Sequence, residues 1–428
     1  MRPWGAWAVR GAAVALAAAG LGHTLWHGVA QPGTALAFAA LVALGELARR
    51  DHHEHRAAAW HLPAEDRRPA PLGSAAALTY ALLGEAAGHP TRHGALQTVA
   101  VVFAAALAAA VPYIARGGGH ALDLVARRVL TVAFAAVCFQ PLHHSGRLED
   151  LTGRGPCLVG FLLVLLGLTA LCDAVLAAAL ARAGTGWPYG PLLRDELRAQ
   201  LGIGSAICAT CVVMVLGVAV AGLWALPVFS LPLLLTQTSF HRITAIRVTY
   251  RQTITSLARA TEIAGYTRPG HARRVAALSC AVGRELGLSE RELTVLEYAA
   301  LMHDIGQLSL VDPVPAGATA ELPAAEARRI AELGGEVARR AGVPAEVAVV
   351  VELQADPYRR QPVAARIVRT VNAYDDLAAA ILHPGGSLAA LEQLRLGTGR
   401  DHHPEVVESL ARVLARGGRA RVVPARPG

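Results

Sequence analysis

A histidine and an aspartate stand side by side at positions 303 and 304, closing the apolar run Ala300-Leu301-Met302 and followed by Ile305-Gly306-Gln307. An apolar stretch that breaks into adjacent imidazole and carboxylate groups just before a glycine sets both at a helix end, beside a cleft. A neutral imidazole and a carboxylate together suit Mn, Fe, Zn or Mg, according to the remaining ligands. A divalent ion held there polarises a phosphoryl oxygen and lowers the pKa of its water toward about 7. Such pairs also arise by chance, so His303-Asp304 gains weight from its context. Upstream, Tyr266-Thr267-Arg268-Pro269-Gly270-His271-Ala272-Arg273-Arg274-Val275 opens another helix, and two antiparallel helices bring His271 beside His303.

Helices have to hold these groups, and the C-terminal part of the sequence offers little else. Pro269–Leu286 reads as one helix, and Ser289 with Glu292 makes a capping box opening the next, which runs to about Asp304. Leu322–Ala341, Pro344–Ala355, Pro362–Leu382 and Pro404–Arg416 follow, with Pro at or near several first turns. Strand alternation is almost absent, so this part is expected to be all-α. His402-His403 adds two imidazoles, but Asp401 as an N-cap with Pro404 in the first turn is the better account of that segment.

Tyr266-Thr267 with His271 and Arg274-Val275, then Gly287-Leu288-Ser289-Glu290 with Glu292, then Ala300 to Gly306, together resemble the HD superfamily of metal-dependent phosphohydrolases, and most closely its HD-GYP branch. The likeness is dense from Tyr266 to Leu310 and thinner to about Leu414. It implies a helical domain whose metal site hydrolyses cyclic dinucleotides, chiefly cyclic di-GMP, or other nucleotide phosphates, often beneath a membrane sensor. By position, it makes His271, His303 and Asp304 metal ligands and His303 and Asp304 catalytic; Asp375 stands beside them as a candidate fourth ligand. Arg274 falls to helix packing or to the phosphate side, and Gln307 to the phosphate side.

The family pattern also asks for a glutamate where Thr267 stands, a histidine at Ile330, a lysine at Gln307, paired histidines after Val351 and an aspartate at Asn372. Fewer anionic ligands bind a hard divalent ion more weakly. The expectation is therefore at most one divalent metal per chain, Mn, Fe or Mg. The competing reading is a catalytically inactive HD fold, kept as the output or dimerisation module of a membrane sensor.

Ahead of Phe240 the sequence changes character. The chain is 54% hydrophobic and 17% charged, against about 25% charged for soluble proteins, and the deficit lies in this N-terminal part. A bilayer core of about 30 Å takes about 20 apolar residues per helix. Ala8–Val29, Gly33–Leu47, Ala70–Ala87, Ala95–Ala115, Val129–Leu142 and Cys157–Ala181 are candidates, and Ala199–Phe240 divides into two with a turn near Gly217–Pro227. Eight spans result. Arg49, Arg50, Arg56, Arg67, Arg68, Arg116, Arg127, Arg128, Arg182, Arg194 and Arg198 fall in alternate loops, which the positive-inside rule makes cytoplasmic. The reading is a multi-pass plasma-membrane protein with both termini in the cytosol and the lipid bilayer as its first partner.

Asp173 inside the sixth span is a functional candidate by its depth. His23 and His27 share a helix face, and with His89, His93, His143 and His144 they fall toward the outer surface, as candidates for metal, haem or pH sensing or as plain interfacial polarity. His52, His53, His55 and His61 read as a solvated loop. Cys208 and Cys211 sit in an uncharged stretch and read as small buried hydrophobes. All 40 basic residues are Arg, and the net charge of +8 fits a bilayer-facing protein; no nucleic-acid motif accompanies it, so no nucleic-acid partner is expected. Between the halves, Ile246, Tyr250, Thr253, Leu257, Ala260 and Ala264 keep a thin heptad spacing suited to a spacer or a homodimer seam. The organisation expected is thus all-α: a helical membrane domain over 1–241, a linker helix over 242–265, an HD-type domain over 266–416 and a basic tail over 417–428.

Overall fold

The computed structural model describes residues 4–48, 70–115, 120–153, 155–185, 188–310, 314, 322–381 and 386–415. The arginines at 49, 50, 56, 67, 68, 116 and 154, the histidines at 52, 53, 55 and 61, and the tail after 415 lie outside them. The chain divides into two compact units, Met1–Ile243 and Thr244–Gly428.

The first unit is built from α1 (Trp4–His27), α2 (Pro32–Ala48), α3 (Pro71–Ala81), α4 (Ala95–Ile114), α5 (His120–His144), the short α6 (Arg147–Thr152), α7 (Pro156–Thr185), α8 (Tyr189–Ala199), α9 (Ser205–Ala221) and the first part of α10 (Ala225–Ile263). Its interior is mostly Ala, Leu and Val, with Phe38 and Tyr80 fully buried. Leu25, Trp26, Leu36, Val164, Val220, Trp224 and Leu235 point outward, an apolar exterior that lipid accepts and water does not. Gly5–His27, Ala95–Ile114, Pro156–Gly184 and the run Ser205–Ser239 are long and apolar enough to cross a membrane. So four segments of the described residues qualify where eight spans were expected.

Two of the differences have plain physical causes. The expected span Ala70–Ala87 stops as α3 at Ala81. At about 1.5 Å per residue, α3 is about 16 Å long, half a bilayer core. Beyond it a two-stranded hairpin, β1 (Glu85–Ala86) on β2 (His89–Pro90), turns the chain back. The expected span Val129–Leu142 lies inside the longer α5, whose first turns carry Asp123, Arg127 and Arg128. The uncharged run after Ala199 breaks at Gly222, where φ is +67°, into a 3-10 turn between α9 and α10. Gly45 and Gly73 let α2 and α3 touch: a Cβ on Gly45 would stand 2.7 Å from the Gly73 Cα.

The second unit is all-helical: the rest of α10, then α11 (His271–Glu285), α12 (Glu290–Met302), a 3-10 turn Ile305–Ser309, α13 (Ala324–Arg340), α14 (Ala345–Leu353), α15 (Val363–Ala380), α16 (Gly386–Leu396) and α17 (Pro404–Ala415). The capping box at Ser289 and Glu292 is present in both directions. α16 was not foreseen. Asp401 is not the cap of α17: the amides of Val406 and Val407 donate to the His403 carbonyl, and Asp401 accepts instead from Arg400 Nε at 2.9 Å. Part of the expected seam on α10 packs on this unit, while Thr253 and Ala264 stay exposed and the Ile246 side chain lies outside the described residues. Ile254 and Ala258 enter the core of this unit, Tyr250 and Leu257 pack against it, and Arg251 pairs with the buried Glu297 at 2.5 Å. Gly306 closes the structure behind the site, since a Cβ there would meet the Ile330 carbonyl and stand 2.7 Å from Gly334 N, both main-chain atoms of α13.

Candidate metal centre

Three side chains converge where α11 begins and α12 ends. His271 is the first residue of α11, following Gly270, whose φ of +74° is left-handed. His303 ends α12, and Asp304 starts the turn beyond it. All three are buried. His271 Nε2 lies 3.2 Å from His303 Nε2 and 3.4 Å from Asp304 Oδ2, and His303 Nε2 lies 3.2 Å from that same oxygen. A tetrahedral ion with ligands at about 2.1 Å separates them by about 3.4 Å, and an octahedral face by about 3.0 Å. The observed triangle lies between these values, so it fits one divalent ion.

Hydrogen bonding on the far side of each ring supports that fit. His303 Nδ1 donates to the Ala300 carbonyl at 2.8 Å, and His271 Nδ1 to Asp375 Oδ2 at 2.8 Å. With both Nδ1 protons committed, the two Nε2 lone pairs face each other, and only a cation between them relieves that contact. In the metal-free chain a proton plays that part. Burial alone pushes the His271 pKa down, but hydrogen bonds to Asp304 and Asp375 outweigh it and raise it to about 10. Burial likewise opposes ionisation of Asp304, yet His303 and His271 hold it well below the usual carboxylate range. These residues can bind an ion and orient it; the ion would supply the Lewis acidity.

Around the triangle the expected residues separate. Asp375 lies on the Nδ1 side of His271, away from the ligand atoms, and is held by Arg274 through Nε to Oδ1 and Nη2 to Oδ2, each at 3.0 Å. As a fourth ligand on the triangle it is therefore misplaced. Against the penalty of burial, His271 and Arg274 hold its pKa down at about 2. Arg274 is likewise occupied by Asp375 and by the Pro269 carbonyl, which sets it between α11 and α15 and not on the ligand atoms. Its neighbour Asp376 is buried against Arg268 at 3.0 Å, and burial raises it to about 6. Gln307 is fully buried, and its side-chain amide meets no hydrogen-bond partner among the described residues. Thr267 bonds Thr261 at 3.1 Å, and Ile330 is in the core, so neither position offers a second ion a ligand. Gln354, which sequence reasoning passed over, donates to the His303 carbonyl at 2.7 Å and steadies the helix end. Its place after the apolar run of α14 was the only signal.

The membrane-side candidates do not assemble comparably. His23 and His27 stack on each other at 4.3 Å, with His27 Nδ1 on the His23 carbonyl. His93 and Gln140 satisfy carbonyls at the end of α3, His93 Nε2 on Tyr80 O at 3.0 Å and Gln140 Nε2 on Ala81 O at 2.9 Å. His144 bonds the Gln140 carbonyl, and His143 fills the space over Gly84. Asp173 pairs with Arg127 at 2.7 Å and accepts from Gln200 at 3.0 Å, beside a cavity of about 100 Å³. Among the described residues, only His271, His303 and Asp304 form a group of three or more potential ligands close enough for one ion.

Residues 268–383 match the family model of the HD domain, a family of metal-dependent phosphohydrolases. No curated protein and no solved structure is significantly similar to the chain.

Proposed function

We propose that this chain is a membrane-anchored HD phosphohydrolase that works with one divalent ion, Mn, Fe or Mg, on His271, His303 and Asp304. The observation that carries the reading is the buried triangle of two Nε2 atoms and one carboxylate oxygen, with sides of 3.2–3.4 Å. An ion bound there supplies Lewis acidity toward a phosphoryl oxygen and an acidified water. Asp304 provides the anionic ligand, and His303 the neutral one whose tautomer the Ala300 carbonyl fixes. The substrate class is a nucleotide phosphate, with a cyclic dinucleotide such as cyclic di-GMP as the first to test. The four apolar segments support membrane anchoring. A signalling role follows from coupling a polytopic membrane unit to a hydrolase domain.

A second reading is favoured by a specific observation. Thr267 and Ile330 are turned into the fold, and among the described residues three ligand atoms alone converge. A site this sparse also suits an inactive HD fold that serves as the output module of a membrane sensor.

Metal analysis and phosphodiesterase assays on the full-length protein in detergent decide between them. One weakly held metal per chain is expected, with slow hydrolysis in added Mn or Fe that disappears in His303→Ala and Asp304→Ala. Two tightly held metals overturn the single-ion site; none at saturating Mn selects the inactive reading. Reporter fusions at Ala64 and Gly153 test the orientation: inside and outside, respectively, if both termini are cytosolic.

A further inference from the structure

The two histidines of the triangle are aimed by different devices. His303 uses its own helix, through the Ala300 carbonyl one turn back. His271 opens α11, and the carbonyl three residues back, that of Arg268, already accepts the His271 amide at 3.1 Å. Its acceptor comes from α15 instead. Asp375 Oδ2 takes the Nδ1 proton at 2.8 Å, while both Asp375 oxygens accept from Arg274, one turn along α11 from His271. Arg274 Nη1 also donates to the Pro269 carbonyl at 2.9 Å, just ahead of the left-handed Gly270. Three hydrogen bonds thus commit Asp375 to the side of the ring opposite the ligand atoms.

We infer that Asp375 is a positioning residue that fixes the tautomer and angle of His271, and that Arg274 is the clamp holding Asp375, neither of them touching the ion or the phosphate. The inference rests on the metal-site reading above. Asp375 keeps the proton on Nδ1, so that Nε2 carries the lone pair toward His303 and Asp304. Its negative charge makes the ring a better donor to a cation, and partners of this kind are worth about 10–100-fold in metal affinity. Arg274 acts only through Asp375, so its loss has no separate consequence once Asp375 is gone.

The test is a Co(II) titration of the full-length protein in detergent, followed by d–d absorption, with melting temperature recorded alongside. Asp375→Asn should weaken Co(II) about 10–100-fold at unchanged stoichiometry and band intensity, because no ligand has been removed. Arg274→Gln should weaken it less, and the double variant no more than Asp375→Asn alone. A purely structural role would lower the melting temperature and leave the affinity of the folded protein intact, which overturns the inference. So do wild-type affinity in Asp375→Asn, complete loss of the ion as in His303→Ala, or additive effects in the double variant. If His303→Ala itself binds Co(II) like wild type, the metal-site reading falls and this assignment falls with it. Should Asp375→Asn fail to fold, the fall in affinity of Arg274→Gln carries the test alone, and its absence refutes the clamp.

Discussion

Gly306→Ala adds one methyl group at the point where the site is closest to the rest of its domain. The new carbon would stand 2.7 Å from Gly334 N and nearer still to the Ile330 carbonyl oxygen. Favourable contacts lie near 3.5–4.0 Å, so α13 has to retreat by about 1 Å along the 3-10 turn. Both obstructing atoms are main chain and cannot swing aside. Overpacking of a core costs about 1–3 kcal/mol where side chains can give, and more where they cannot. The expectation here is a loss of about 3–4 kcal/mol, a large fraction of the roughly 5–15 kcal/mol that holds a domain folded. Asp304 directly precedes the turn that moves, so metal affinity should fall as well. Gly399→Ala is the control: φ is +82° but nothing lies within 4 Å, so only the left-handed strain of about 1–2 kcal/mol applies. Urea-dependent pulse proteolysis of the full-length protein in detergent reads both. A Gly306→Ala protein no less stable than Gly399→Ala would refute the close-packing argument.

Arg251→Met should destabilise the second unit by about 1.5–3 kcal/mol, since it removes a charge-assisted hydrogen bond at 2.5 Å from the buried Glu297; the same proteolysis assay reads the loss, and a variant as stable as wild type would contradict it. Metal binding should tighten with rising pH. His271 is raised to about 10 in the metal-free chain and is therefore protonated at neutral pH, so an ion must displace that proton, and apparent affinity should rise up to about tenfold per unit between pH 6 and 9. Isothermal titration in two buffers of different ionisation enthalpy counts the proton released; zero release would contradict the arrangement.

The ligand triangle was legible because each member sits at a helix end marked locally: His271 after Pro269-Gly270, and His303-Asp304 where the apolar run of α12 meets Gly306. Asp375 was harder. Successive residues on a helix differ by about 100° in direction, so which of Asp375 and Asp376 meets the His271 ring, and on which side, depends on how α15 is rotated, and only packing decides that. The half-length of α3 was hidden for a similar reason. Its run of apolar residues continues past Ala81, but His93 and Gln140, distant in sequence, receive its terminal carbonyls. α16 opens on Gly386-Ser387, which reads as a loop, although Leu391 and Leu394 inside it are core residues at helical spacing.

The linker shows best how one pattern admits two partners. Tyr250, Leu257 and the small residues between them do keep heptad spacing, and from sequence alone a second chain is the natural occupant of such a stripe. In the folded unit they form the edge of a stronger stripe one position round the helix, Ile254, Ala258 and Thr261, all buried. Tyr250 donates its hydroxyl to the Gly342 carbonyl at 3.1 Å, and its ring meets Tyr298 edge-on. Tyr250 and Leu257 are therefore partly covered by their own domain, while Thr253 and Ala264 remain exposed. A dimer seam along this face would have to uncover Tyr250 and Leu257 first, exposing core that the second unit needs for its fold. Any homodimer of the intact chain is accordingly expected to use a surface other than this one, and Leu257→Ala should lower the stability of the second unit without changing the oligomeric state measured by light scattering.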